Sequence, residues 1–390
     1  MLQNLTEMGS ETPDRIDDLD TPCLLLDRGR VDANVARMNG HLAVHRVAFR
    51  PHLKTAKSVD VARRVMPTVA GPATVSTLKE AEVFARAGVT DMIYAVGIAP
   101  SKLDRVVKMR RAGIEIAIVL DSIEQACAVS EASQAEGLRI PALIEIDCDG
   151  HRSGLVPDNK RDIVTIGTEL VKGAELRGVL THAGDSYGAR GVAEFEAYAE
   201  RERAAAVGAA EILRAAGLPC PVVSVGATPT ALYGRNYSGV TEVRAGVFMF
   251  FDLVQAGVGD CTVDDIALSV LSTVIGHQRD RGWTIIDAGW MAMSRDRGTA
   301  GQAVDQGYGI VCDVDGRPYP DLIVIQANQE HGIVARRPGS SVRVPYFPVG
   351  AKVRILPNHA CATAAQHEGY VVVEGGTHRV HGYWPRFGGW

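Results

Sequence analysis

No run of about 18 apolar residues occurs in the 390-residue chain, so no segment of it has the length and character of a membrane-crossing helix. An excess of basic charge is missing too. The 41 lysines and arginines face 46 aspartates and glutamates, and the resulting net charge of −5 argues against a nucleic-acid partner. The seven cysteines (23, 127, 148, 220, 261, 312 and 361) form no CxxC pair and no disulfide-dense pattern. A reducing cytoplasm is therefore expected, with most thiols serving as small buried hydrophobes. The start, MLQNLTEMGSETPDRIDDLD, lacks the basic head and apolar run of a secretion signal, which adds to that expectation. Internal repeats and low-complexity linkers are absent, and no GxGxxG follows the first strand candidate, which counts against a doubly wound dinucleotide-binding sheet.

What is present is an ordinary globular composition, 46% hydrophobic and 22% charged. Short apolar runs alternate with helical patterns between about residues 28 and 245. The runs are Val47–Pro51, Ala73–Ser76, Met92–Val96, Ile114–Leu120, Ala142–Asp147, Leu176–His182, Val222–Gly226 and Thr241–Gly246. Between them, Val31–Leu42, Val59–Met66, Lys79–Ala87, Lys102–Arg111, Ile123–Glu136, Asp162–Lys172 and Glu194–Ala216 carry apolar residues at three- and four-residue steps. Eight such units predict a (β/α)8 TIM-type barrel over 28–255, a size close to the usual ~250 residues. After residue 255 the texture turns to β-branched runs: Leu268–Ile275, Trp283–Ile286, Leu322–Ile325, Lys352–Leu356 and Tyr370–Val373. The turn clusters RDRG, DVDGRP, RPGSS and VEGG separate them. An all-β domain of 256–390 is predicted, joined by 1–27, whose Pro22–Leu26 reads as a lone strand.

In a barrel the chemistry sits at the C-terminal strand ends. Strand one leads into Arg50-Pro51-His52-Leu53-Lys54, and lysine is scarce here beside arginine. A lysine at a barrel mouth can form a Schiff base with an aldehyde, or be a solvated or phosphate-binding cation. The GATPT and RAGV stretches, with Gly226, Thr228, Ala245 and Gly246, offer small residues and backbone N–H groups where barrels hold phosphate; two tight turns would use the same residues. His182 and Tyr187 could pack on or hydrogen-bond a flat ligand, with Arg152 at its phenolic oxygen, or be ordinary packed side chains. His359 and Cys361 are spaced two apart. In an extended segment they would face one side and could share a metal, Zn²⁺ before Ca²⁺, or else be a structural histidine and a buried thiol. Gln329 and His331, in the NQEHG stretch, could line a substrate site or make a turn.

From Asp20-Thr21-Pro22 onward the chain resembles the D-threonine aldolase and D-serine dehydratase-like enzymes. The strings that carry the likeness are PHLKTAKS, STLKEAE, EIDCDGHRSG, THAGDSY, SVGATPT, TEVRAGVFMFFD, DAGWMAMSRDRG, NQEHG and PNHACAT. The resemblance implies the alanine-racemase fold (fold type III of pyridoxal-phosphate enzymes), with pyridoxal 5′-phosphate and a divalent metal as cofactors. It makes Lys54 the Schiff-base lysine and puts Gly226, Thr228 and Gly246 on the phosphate cradle. It sends Tyr187 to the pyridine nitrogen, Arg152 to the phenolic oxygen, and gives the metal (Zn²⁺ first, Mn²⁺ or Mg²⁺ as alternatives) to His359 and Cys361. The His-x-Cys pattern is similar to that of the dehydratases, where the aldolases show His-x-Asp; Ala56 stands where many relatives carry histidine. The implied activity is dehydration of a β-hydroxy-D-amino acid, such as D-threo-3-hydroxyaspartate or D-serine, to a 2-oxo acid and ammonia, by a homodimer. Retro-aldol cleavage to glycine and an aldehyde is the alternative. A non-catalytic carrier of the cofactor is the remote one, disfavoured by the β domain and the His-x-Cys pair.

Overall fold

The computed structural model describes residues 13–375 and 377–390; residues 1–12, part of the segment judged above for a secretion signal, lie outside them. The chain forms two compact units. One comprises the chain through Asn34 with Met249–Gly388, the other Val35–Phe248 with Gly389–Trp390. Among the described residues no helix is long and apolar enough to cross a membrane. The first strand, β1 (Cys23–Asp27), belongs to the former unit.

The other unit is built on eight parallel strands: β2 (Ala48–Phe49), β3 (Ala73–Val75), β4 (Asp91–Gly97), β5 (Glu115–Leu120), β6 (Pro141–Ile146), β7 (Glu175–Thr181), β8 (Val222–Val225) and β9 (Glu242–Val243). Their spatial order is β2-β9-β8-β7-β6-β5-β4-β3. The ring closes where the chain beyond β2 meets β3. The Thr74 N–H donates to the Pro51 carbonyl and the Leu53 N–H to the Thr74 carbonyl, each at 2.9 Å. Runs such as IAIVL in β5, after the exposed Glu115, are apolar and buried because helices cover one face of the sheet and the barrel core the other. The helices start where side chains take up their first N–H groups: Thr77 accepts from Glu80, Asn159 from Asp162, and Ser122 with Gln125 completes a capping box.

Part of the barrel interior is charged rather than aliphatic. The Arg50 guanidinium bridges Glu242 at 2.8 Å and Asp91 at 2.7 Å, and Glu242 also accepts the Ser224 hydroxyl at 2.8 Å. The Arg50–Glu242 pair is buried and persists because both partners are hydrogen-bonded, while Asp91 meets the guanidinium from a half-exposed position.

In the β unit the order is β11 (Trp283–Ile286), β14 (Gly332–Arg336), β13 (Pro318–Ala327), β12 (Ile310–Cys312), β15 (Lys352–Leu356), β10 (Leu268–Gln278), β1, β16 (Gly369–Val373) and β17 (Val380–Pro385). The 11-residue β10 is the pivot. Its first half pairs antiparallel with β1 and its second half with β11, while β15 lies along its other edge. The β10–β11 pairing closes six strands into a ring. β1 is the lone strand expected from the sequence; it also runs parallel to β16, with Leu25 opposite Val371. The sequence does not disclose β12, β14 and β17. β12 has three residues, β14 opens on Gly332 straight after a polar turn, and β17 carries Gly382 and ends at Pro385, as an edge strand can.

Leu25 is fully buried in a cluster with Ile16, Leu19, Leu271, Val371, Val373 and Val380. Leu25→Ala should cost about 3 kcal/mol, seen as a lowered urea midpoint at unchanged slope. A loss below about 0.5 kcal/mol would show that β1 is not part of this core.

Candidate active site

Lys54 lies beyond β2, exposed at the C-terminal end of the barrel. Its backbone is fixed from three sides. The His52 N–H donates to the Ala245 carbonyl at 2.7 Å, Leu53 is tied to Thr74, and the Lys57 N–H closes onto the Leu53 carbonyl at 2.9 Å. Lys57, the neighbouring amine, is committed to the buried Glu80 at 3.3 Å. Glu80 also holds the loop after β3 by accepting the Ser76 N–H at 3.0 Å.

Two imidazoles lie close enough to Lys54 to feel its charge. Burial, then Lys54, then Arg152 hold His182 down to about 3; burial, then Lys54, then Arg244 hold His52 well below its ordinary value. Both rings are neutral at pH 7. His182 Nδ1 is 2.7 Å from the Gly226 carbonyl oxygen, which can only accept, so the proton is assigned to Nδ1 and Nε2 is left as an acceptor.

The chain beyond β8 and β9 forms a concave rim. Gly226 has φ +149°, and a Cβ there would collide with the Arg244 carbonyl. A Cβ on Gly246 would press on the His52 carbonyl at 3.1 Å and Thr55 Oγ1 at 3.2 Å. Thr228 opens the helix Thr228–Tyr233, and its buried Oγ1 has no hydrogen-bond partner in the protein. A hydroxyl in that state calls for an external acceptor, and a phosphate oxygen fits. The Thr228 N–H lies 3.5 Å from the Tyr187 hydroxyl. That contact sets the Tyr187 hydroxyl beside the first residue of the helix Thr228–Tyr233. The Tyr187 and His182 rings are 6.2 Å apart and tilted by 42°, not stacked. The Arg152 side chain lies along Gly184, within 3.2 Å of where a Cβ would stand.

In the β unit His359 is extended but Cys361 is the second residue of the helix Ala360–Ala364, so the alternation of an extended segment is not what unites them. The turn into the helix does, and the two side chains hydrogen-bond each other. Asp296 Oδ2 takes His359 Nδ1 at 2.7 Å, and this bond first, then Cys361, pushes the imidazole up to about 11. With Nδ1 engaged by a carboxylate, Nε2 is the nitrogen available to a metal, the arrangement that orients metal-ligating histidines. Imidazole and thiolate suit Zn²⁺ or another borderline ion and leave positions open for substrate or water. The buried Asp252 fixes the turn by accepting the Ala360 N–H at 2.9 Å, and Asn358 donates to the carbonyls of Asp296 and Gly307.

Gln329 and His331 are exposed in the tight turn between β13 and β14, where the Asn328 N–H donates to the His331 carbonyl at 2.8 Å. Their visible work is turn formation. His52, Asp296, Arg244 and Glu202 are buried or bonded beside these groups and were not singled out from the sequence. Asp296 lies within the MAMSRDRG string, and only its contact with His359 marks it out.

The sequence profile of the family "Alanine racemase, N-terminal domain" matches residues 26–254, and a serine dehydratase domain profile matches 267–373. D-threo-3-hydroxyaspartate dehydratase of Delftia sp. (strain HT23) is 51% identical over 95% of this chain and 98% of its own. Its solved structure superposes with a TM-score of 0.94, covering 97% of this chain and 100% of that one. A cysteine-to-alanine variant of it is described as the metal-free form. D-serine dehydratase of Dictyostelium discoideum is 27% identical, over 96% of this chain and 99% of its own. The chain belongs to the D-threonine aldolase and D-serine dehydratase-like family. The structure of D-threonine aldolase from Filomicrobium marinum, at 25% identity and TM-score 0.78, covers 96% of this chain and 97% of that one. The alanine-racemase fold of this family is the barrel and β unit described above.

The two neutral imidazoles set a pH dependence for this family member. Unfolding restores their ordinary value near 6.5, so below that pH the unfolded chain binds protons that the native one refuses. Their contribution is whole above pH 6.5 and is lost as the pH falls toward the native value, about 3 for His182. In the apoprotein, His52→Asn should reduce proton uptake on unfolding near pH 5 by about one, read from the slope of urea-derived stability against pH. An unchanged slope would mean that His52 is charged in the native state.

Proposed function

We propose that this protein is a pyridoxal-phosphate- and divalent-metal-dependent dehydratase of β-hydroxy-D-amino acids, with D-threo-3-hydroxyaspartate as its first candidate substrate. The observation that carries the reading is the barrel mouth. An exposed lysine, a neutral histidine with a fixed acceptor nitrogen and a partnerless buried threonine hydroxyl converge there in a chain 51% identical to the Delftia enzyme. Metal use is supported by the His359–Cys361 contact, by the carboxylate behind it, and by the metal-free description of the relative's cysteine variant.

Bound there, pyridoxal phosphate supplies an aldehyde for the substrate amine and an electron-withdrawing ring that weakens bonds at Cα. A divalent ion on His359 and Cys361 supplies Lewis acidity toward a hydroxyl. The chain does the rest. Lys54, its backbone pinned by His52, Leu53 and Lys57, would accept the Cα proton in its neutral amine form. Thr228 Oγ1 and the backbone about Gly226, Ala245 and Gly246 take the phosphate. Tyr187 closes this cradle, and Arg152 faces His182 with its positive charge. His182 Nε2, unable to donate, accepts a hydrogen bond from whatever cation or hydroxyl stands before it.

Zinc as the resident ion, a homodimeric assembly and a cytoplasmic location complete the proposal. They rest respectively on the donor chemistry, on the family resemblance and on the scattered cysteines.

Product identification tests the reaction. With D-threo-3-hydroxyaspartate the expected products are oxaloacetate and ammonia; glycine and glyoxylate would instead establish aldol cleavage. Cys361→Ala should lose the ion by elemental analysis and lower kcat by at least ~100-fold, as one lost ligand predicts. Full metal content and rate in that variant would remove the metal from the account.

A further inference from the structure

The helix Val192–Ala215 carries a carboxylate on its buried face. Glu202, in line with Phe195, Ala206, Ala209 and Leu213, is 1% exposed. Burial raises its pKa, opposed by its hydrogen bonds and by the Arg244 guanidinium. A group so expensive to desolvate is retained only where its acceptors are all in use. Glu202 Oε1 accepts the Ala183 N–H at 2.9 Å and the Gly226 N–H at 2.8 Å, and Oε2 accepts the Thr230 hydroxyl at 2.7 Å. These three donors lie on the chain just past β7, just past β8, and in the first turn of Thr228–Tyr233.

The arrangement closes on itself. Ala183 follows His182, whose Nδ1–H donates to the Gly226 carbonyl, so both polar groups of the Gly226 peptide unit region are committed, its N–H to Glu202 and its C=O to His182. Two consequences reach the site. The His182 ring is held with Nε2 as its open acceptor, and Thr228, between Gly226 and Thr230, is delivered with its hydroxyl unspent. Arg244 backs the same ring, donating to Ser224 Oγ at 2.8 Å and to the Thr181 carbonyl.

We propose that Glu202 is the positioning residue of the cofactor site, a clamp that registers the exits of β7 and β8 so that the cradle and His182 address one phosphorylated ligand. This rests on the reading that pyridoxal phosphate binds in the barrel mouth. Glu202 acts through the groups it holds and touches no ligand itself.

The test titrates the apoproteins with pyridoxal 5′-phosphate and with pyridoxal, which lacks the phosphate, and compares the two affinities. Charge-assisted hydrogen bonds of this kind support a loss of at least ~10-fold for pyridoxal phosphate in Glu202→Ala, with pyridoxal changed by no more than about twofold. Glu202→Gln keeps one oxygen for both N–H groups, and the Thr230 hydroxyl can turn to the Ala227 carbonyl at 3.2 Å. That variant should return to within about threefold of wild type. A Glu202→Ala protein that keeps the wild-type preference for the phosphate, or loses both ligands equally, overturns the inference. Should Glu202→Ala fail to fold, Thr230→Val takes its place; it removes the donor to Oε2 and, with it, the acceptor of the Ala227 N–H at 3.1 Å. It should lower the preference by about threefold, and an unchanged preference overturns the inference. A wild-type apoprotein indifferent to the phosphate would sink the cofactor reading and the inference with it; a wild type that prefers the phosphate, beside an unaffected variant, sinks the inference alone.

Discussion

A 2.7 Å hydrogen bond from the His182 imidazole to the Gly226 carbonyl is the constraint on which the barrel mouth depends. It joins two neighbouring strand exits and fixes a tautomer. It also lets a glycine conformation, closed to other residues by the Arg244 carbonyl, persist at φ +149°. Because the ring is neutral, it can stand beside Lys54, Arg152 and Arg244 without adding a fourth positive charge. A protonated imidazole would repel all three and present a donor where an acceptor is needed. The chemistry assigned to the site therefore begins with desolvation: burial keeps the histidine uncharged, and the carbonyl decides which nitrogen works.

The β unit solves a different problem by a related device. Its imidazole is held charged, not neutral, because Asp296 and Cys361 both stabilise the proton. The surrounding turn is unusually well anchored for its length, with Asp252 on the helix start and Asn358 on two carbonyls.

The barrel was legible because its longer strands are mostly apolar runs bounded by polar or glycine-rich loops, as in IEIAIVLD and PALIEID, while the two-residue β2 and β9 are not. At the strand exits the sequence offers candidates by type and place: a lysine after the first strand, histidine after the sixth, small residues after the seventh and eighth. The extended spacing that would face His359 and Cys361 to one side does not hold, since the helix turn rather than an extended backbone brings them together. Glu202 stayed hidden within YAERERAAA, which looks like a solvated charged face. Its register with Phe195, Ala206 and Leu213 was the available signal, and only burial converts that register into a role. Asp296 had no such signal, because 63 residues separate it from the histidine it holds.

The chemistry of the barrel mouth depends on which amine bonds the cofactor. Borohydride reduction of the pyridoxal-phosphate-loaded protein, followed by digestion and mass spectrometry, reads this directly. A phosphopyridoxyl group on Lys54 is the predicted result. The same group on Lys57 or on another amine, or no adduct in a protein saturated with the cofactor, would contradict it.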